Sequence, residues 1–191
     1  MSAAAPSALA GTFRWHLDAG LDLGLLEARH TAALYALVDG DRAHLRRYLP
    51  WVDATRGPHD SGMFIQTTLE HFARSQSLSL GIFSEGELAG VIGYHLIDWG
   101  NRKTSLGYWL GRRFEGRGLM TRAVRAMTQH AFTQLGLHRL EIRAATDNAR
   151  SRAVAERAGY RLEGVCPGGE WLHDRFVDHA IYGALRPTWT P

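Results

Sequence analysis

From residue 104 the chain reads Thr-Ser-Leu-Gly-Tyr-Trp-Leu110, then Gly111-Arg-Arg-Phe-Glu-Gly-Arg-Gly118, then a stretch of helical period up to residue 135. A strand that passes through a turn with two close glycines and leaves as a helix constrains the fold in two ways. The helix must cross over, so the strand after it lies parallel to the strand before it. The helix also starts with no bulky residue over its first turn. Free backbone N–H groups and the positive end of the helix dipole then meet at one place, which suits an anion, above all a phosphate. Read from the residues alone, the segment is either such a seat or a plain glycine-rich turn opening a helix.

The remaining periodicities place this unit within a mixed α/β sheet. Residues 12–17 and 21–26 read as an early strand or hairpin interrupted at Gly20. Residues 29–38 carry Ala32, Ala33, Leu34 and Leu37 at helical spacing, 41–49 form a second short helical stretch that Pro50 should stop, and 61–74 form a third helix. Period two follows. Leu78, Leu80 and Ile82 alternate with small or polar residues up to a turn at Glu85-Gly86, residues 88–97 continue as a strand, and 103–110 return after Gly100-Asn101. That is an antiparallel meander. Past the glycine turn, Met120, Ala123, Val124, Met127, Ala131 and Leu135 share a helical face that Gly136 closes. Leu140, Ile142 and Ala144 mark the parallel strand, Asn148 caps a helix over 149–158, and two strands, 160–171 with a break near Pro167 and 175–185, form a C-terminal hairpin.

At 191 residues this is one domain by length, expected over 12–191 behind a flexible Ala/Ser-rich tail over 1–11. The tail lacks the basic start and apolar run of a signal peptide, and nowhere is there an apolar run long enough for a membrane span. One cysteine, Cys166, excludes an internal disulfide and a multi-cysteine zinc site, and suits a reducing, cytoplasmic location. The ten histidines are scattered without a His-Glu-x-x-His spacing, so no metal is expected. A net charge of +3 suits a small anionic ligand without requiring a nucleic acid.

Two phosphate-binding patterns fail. A dinucleotide fingerprint needs a third glycine where Thr121 stands, and a Walker loop needs Gly-Lys-Ser/Thr. What remains, Arg113-x-x-Gly116-x-Gly118, resembles the Arg/Gln-x-x-Gly-x-Gly/Ala loop of the GNAT superfamily of N-acetyltransferases. The downstream stretch from Leu140 through Asn148 and Ser151 to Ala158-Gly159-Tyr160 resembles the strand–Asn–helix–Gly–aromatic segment that follows in that family. Three further stretches are similar to its RimJ/RimL-type branch: 27–38, the 44–53 segment containing Leu49-Pro50-Trp51, and 162–172 with Glu170 and Trp171.

The resemblance implies a GNAT-like acyl-CoA N-acyltransferase fold and an enzyme that moves acetyl from acetyl-CoA to a primary amine, most directly the N-terminal α-amine of a ribosomal or other protein. Arg112, Arg113, Glu115, Gly116, Arg117, Gly118, Leu119 and Met120 would hold the pyrophosphate, with Arg113 and Arg117 as the charged donors, while other arginines there only solvate the surface. Amides near Trp109 and Leu110 would receive the oxyanion. Asn148 would bond the pantetheine or a water, though its plain role is the helix cap. Ser151 would face the sulfur in place of the tyrosine that many members carry where this chain has Ala155. Without the resemblance it is one more polar first-turn residue. Glu170 would be the base; otherwise it is a surface carboxylate beside a turn. Trp51, Trp99 and Trp171 are candidates for walls of the acceptor cleft, or for core packing. The resemblance also admits a homodimer through the C-terminal strands. A small amine as acceptor and a non-catalytic acyl-CoA-binding module remain the alternatives.

Overall fold

The computed structural model describes residues 14–18 and 20–190; the tail expected over 1–11 lies outside them. Eight strands form one sheet: β1 (Arg14–Asp18), β2 (Leu21–Leu25), β3 (Leu78–Ser84), β4 (Glu87–Tyr94), β5 (Lys103–Leu110), β6 (Arg139–Ala145), β7 (Arg161–Leu172) and β8 (Arg175–Leu185). Their spatial order is β1-β2-β3-β4-β5-β6-β8-β7. Every neighbouring pair is antiparallel except β5 and β6, which the crossover helix α4 (Leu119–Thr133) joins in parallel. The antiparallel edges around one parallel pair match the sequence reading.

Local chemistry explains the elements. Between β3 and β4, Glu85 and Gly86 both take positive φ (52° and 83°), the mirror-image turn whose twist suits a tight hairpin. Helix α1 (Thr31–Gly40) covers its expected stretch, and α2 is short (Arg42–Leu45). Pro50 does not stop that helix; it opens a 3₁₀ turn, Pro50–Ala54. Its ring-fixed φ and missing N–H suit the first position of a helical turn, where no donor is needed. The same rule starts α3 (Pro58–Ala73) three residues before the expected 61, with Pro58 at its first turn and the Asp60 carboxylate accepting from the Gly57 amide at 2.9 Å. Helix α5 (Ala149–Arg157) ends at Gly159, φ +86°.

Helices cover both sheet faces. Trp109 packs against the Val38, Leu45 and Val52 cluster, so α1, α2 and the 3₁₀ turn lie on its face. Tyr94 Oη donates to the Met127 carbonyl of α4 at 2.6 Å, and Tyr108 Oη to the Ser151 carbonyl of α5 at 3.1 Å, so these helices lie on the other. Leu80, Ile82, Ile92 and Met127 between the layers are fully buried. Each such side chain contributes about 1.5–3 kcal/mol by leaving water. The core therefore fixes where β5 and β6 part.

Candidate active site

Strands β5 and β6 pair over four positions only, from Lys103 opposite Arg139 to Leu106 opposite Ile142. Beyond Leu106, β5 stays paired with β4 alone, from Gly107 opposite Gly93 to Leu110 opposite Gly90. The two parallel strands thus open toward their C-terminal ends, where ligands of such sheets sit. Backbone polar groups alternate sides along a strand. The His95 amide donates to the Ser105 carbonyl and the Gly111 amide to the Ala89 carbonyl, both at 2.9 Å, so odd-numbered β5 residues turn toward β4. The amide of Trp109 is consequently directed at β4. Those of Tyr108 and Leu110 face the opening, so of the two oxyanion amides expected from the sequence only that of Leu110 faces the cleft, and Tyr108 joins it.

The glycine turn closes one side of this opening. Gly116 and Gly118 adopt left-handed φ of +75° and +71°, and a Cβ at either would meet no protein atom within 4 Å. The amides of residues 116–121 have no protein acceptor among the described residues. They lead into and include the first turn of a fifteen-residue helix that carries no acidic side chain there, so its dipole is uncompensated. The neighbouring amides are committed: Arg112 N–H donates to Asp41 Oδ2 at 2.7 Å, and Glu115 N–H to the Arg112 carbonyl at 3.2 Å. Arg113 is ion-paired to Glu87 and stacks on Phe114, whereas Arg117 lies over the same ring with no carboxylate partner among the described residues. Glu115 turns away from the amides to accept from His44 Nε2 (2.8 Å) and Arg150, tying the turn to α2 and α5.

On the other side stands the start of α5. Asn148 Oδ1 accepts the Ser151 amide at 3.2 Å, so the capping role is realised and the side-chain nitrogen stays uncommitted. Ser151 Oγ donates to Tyr108 Oη at 3.3 Å. Burial raises the Tyr108 phenol to about 12, so it remains protonated at neutral pH. The sequence reading passed over Tyr108. Its signal was period two alone, which sets it on the α5 side of β5 with Leu106.

Glu170 lies on β7 beside a bulge that spans Cys166 to Glu170. Its Oε2 lies 3.2 Å from Nε2 of His179, which stands opposite Ala145 at the C-terminal end of β6. Three residues past Ala145, the Asn148 amide donates to the Ala145 carbonyl at 2.9 Å. Glu170, Asn148 and the open end of β5 thus share one end of the sheet. Nothing in the sequence had marked His179. Of the three tryptophans, Trp51 packs on Trp109 with ring centroids 5.7 Å apart, and Trp171 is 55% exposed beside Phe176. Trp99 is no cleft wall. Its Nε1 donates to the Ser75 carbonyl at 2.8 Å in the β4–β5 connection, which leads to the closed N-terminal end of β5.

An open cavity of about 320 Å³ lies beside this end, lined by Arg46, Arg47 and Tyr48, by Asp147, and by His173, Asp174 and Arg175 where β7 turns into β8. That turn is held by His173 Nε2 on the Arg46 carbonyl at 2.8 Å.

Split parallel strands, an amide row at a helix start and a capped Asn–Ser helix coincide with a known family. The Acetyltransferase (GNAT) domain family matches residues 21–161. The chain belongs to this family. It is 30% identical over 165 residues to the ribosomal-protein-serine acetyltransferase of Escherichia coli (strain K12), covering 86% of this chain and 92% of that one. A solved structure of RimL, a ribosomal L7/L12 α-N-protein acetyltransferase in complex with coenzyme A, superimposes with a TM-score of 0.86 at 28% identity, over 88% and 96% of the two chains. The microcin C7 self-immunity acetyltransferase MccE, in complex with acetyl-CoA and AMP, gives 0.85 at 28%, over 88% and 94%. The enzyme is an acetyl-CoA-dependent N-acetyltransferase. The free amides of 116–121 and the unpaired Arg117 fit the anionic part of that donor. Among the described residues no group of three or more His, Cys, Asp or Glu side chains could hold a metal, and no helix is long and apolar enough to cross a membrane.

Proposed function

We propose that this enzyme acetylates the N-terminal α-amine of a protein or peptide, ribosomal proteins being the class named for the Escherichia coli relative and for RimL. The observation that carries the reading is the open cavity beside Asp147, just past the end of β6. Asp147 and Asp174 line it together with three arginines, of which Arg46 is held by Asp53, while Arg47 and Arg175 have no carboxylate partner among the described residues. An extended backbone enters an open groove, and arginine side chains donate to its carbonyls. A closed acidic pocket would suit a polyamine instead.

In the reaction the amides of residues 116–121, with Arg117, hold the diphosphate of the donor. The Tyr108 and Leu110 amides, unpaired on the cleft side, receive the oxyanion as the amine attacks the thioester carbonyl. Glu170 takes the proton from the attacking nitrogen. An α-amine with a pKa of about 7.7–8.0 is already partly neutral at pH 7, so a carboxylate suffices. The C–N bond forms, the C–S bond breaks, and the Ser151 hydroxyl turns from Tyr108 Oη to donate a hydrogen bond to the departing thiolate, while Tyr108 stays bound to the Ser151 carbonyl.

Following free thiol while offering acetyl-CoA with N-terminal peptides, polyamines and aminoglycosides tests the reading. Peptide-dependent thiol release is expected. Release driven only by spermidine would transfer the assignment to small amines, the class named for a relative that is 26% identical over 102 residues. Coenzyme binding with no release across the panel would leave a binding module. We also propose a homodimer through β7, the outer strand of the sheet, whose Leu162 and Val165 are exposed. Light scattering at a dimer mass, lost with Val165→Lys, is the expected result.

A further inference from the structure

Glu170 stands on a strand edge where a carboxylate would ordinarily sweep through several rotamers. Here two consecutive residues of β8 hold it from opposite sides of the strand. Asp178 Oδ1 accepts the Gly168 amide at 2.8 Å, fixing the bulge that Pro167 and Gly168 (φ +59°) introduce. His179 then reaches Glu170 itself, Nε2 to Oε2 at 3.2 Å, with side-chain exposures of 13% and 31%. The approach depends on Gly169, where a Cβ would stand 3.3 Å from His179 Cβ and 3.2 Å from the Cys166 carbonyl. Across the ladders His179 is flanked by Ala145 and Cys166, so Glu170 is its only hydrogen-bonded partner among the described residues. The second carboxylate oxygen of Glu170 has no protein partner among the described residues and stays available to a proton.

We infer that His179 is the positioning residue of the reaction. Its Nε2–H donates to Oε2 of Glu170 and turns Oε1 toward the incoming amine, while Asp178 sets the bulge that brings the two together. The inference rests on Glu170 being the base. His179 touches neither donor nor acceptor, so its loss lowers the rate at which bound reactants react and leaves donor binding alone.

The test is a double-mutant cycle of His179→Ala and Glu170→Gln in the full-length enzyme, with His179→Gln as rescue, reading kcat, the KM for acetyl-CoA and the melting temperature. Glutamine places an N–H donor near the position of Nε2. His179→Ala is expected to lower kcat about ten- to hundredfold, the worth of one hydrogen bond to a charged group. The KM for acetyl-CoA stays the same, His179→Gln recovers most of the loss, and His179→Ala adds nothing in the Glu170→Gln background. Wild-type kcat in His179→Ala beside a crippled Glu170→Gln overturns the positioning role and leaves the base intact. A loss that glutamine does not rescue, or that is undiminished without Glu170, overturns it as well. Wild-type kcat in Glu170→Gln removes the base reading itself.

Discussion

Gly118→Ala separates the two demands on the glycine turn, backbone shape and ligand seat. Gly118 caps α4 at φ +71°, a conformation that costs an L-residue about 1–2 kcal/mol. Because no protein atom lies within 4 Å of the added methyl, that strain is the whole effect expected on folding. For a domain of this size it corresponds to about 2–8 °C in melting temperature. Gly136 supplies the control. It ends the same helix at φ +64° with equally open space, and nothing places it near the donor. Gly136→Ala should show the same fall in melting temperature. At Gly118 the methyl also stands beside the free amides of 116–121, where it keeps an anion from closing on them. Loss of one charge-assisted hydrogen bond, about 1.5–3 kcal/mol, corresponds to a rise of roughly ten- to hundredfold in the KM for acetyl-CoA. A thiol-release assay over a range of acetyl-CoA concentrations measures it, and acetyl-pantetheine, which has no phosphates, should be used equally well by both variants. If Gly118→Ala and Gly136→Ala gave the same KM as the parent, the amide row would not be the donor seat.

Three further outcomes follow from particular contacts. Arg117→Ala should raise the KM for acetyl-CoA more than Arg113→Ala, since Arg113 is already engaged by Glu87 and Arg117 has no carboxylate partner among the described residues; steady-state kinetics of the pair decides it. Asn148→Ala removes the acceptor of the Ser151 amide and should cost about 1 kcal/mol of stability, read from urea unfolding. Burial lowers the pKa of His30, His95 and His130 below the unfolded value of about 6.5. The unfolded chain then binds more protons, so stability should fall as pH drops below about 6.5 and the full loss be reached below the folded-state pKa values. Melting temperatures from pH 7.5 to 5 check this, and His130→Gln should flatten the slope.

Much of this protein is determined by its sequence alone. Period two and period 3.6 locate the strands and helices, because each element must bury one face, and glycines at 118, 136 and 159 mark helix ends. The anion seat is legible for the same local reason: glycine conformation and the bare helix start are properties of adjacent residues. Asn148 as a cap three residues before Ser151 is local too. Reading Pro50 as a stop and beginning the third helix at 61 both overlook that proline suits the first position of a helical turn.

The tertiary structure decided everything that depends on which strand lies beside which. Alternation says that Tyr108 and Trp109 face opposite ways, but only the β4 and β6 ladders say which amide meets the cleft. Arg113 finds Glu87 twenty-six residues away, and Ser151 finds Tyr108 forty-three away, through pairings no local pattern encodes. His179 reaches Glu170 because one bulge shifts the register of β7 against β8. A one-residue change of register moves a side chain to the other face of a sheet, so the partner of a carboxylate on such a strand is set by the assembled ladder.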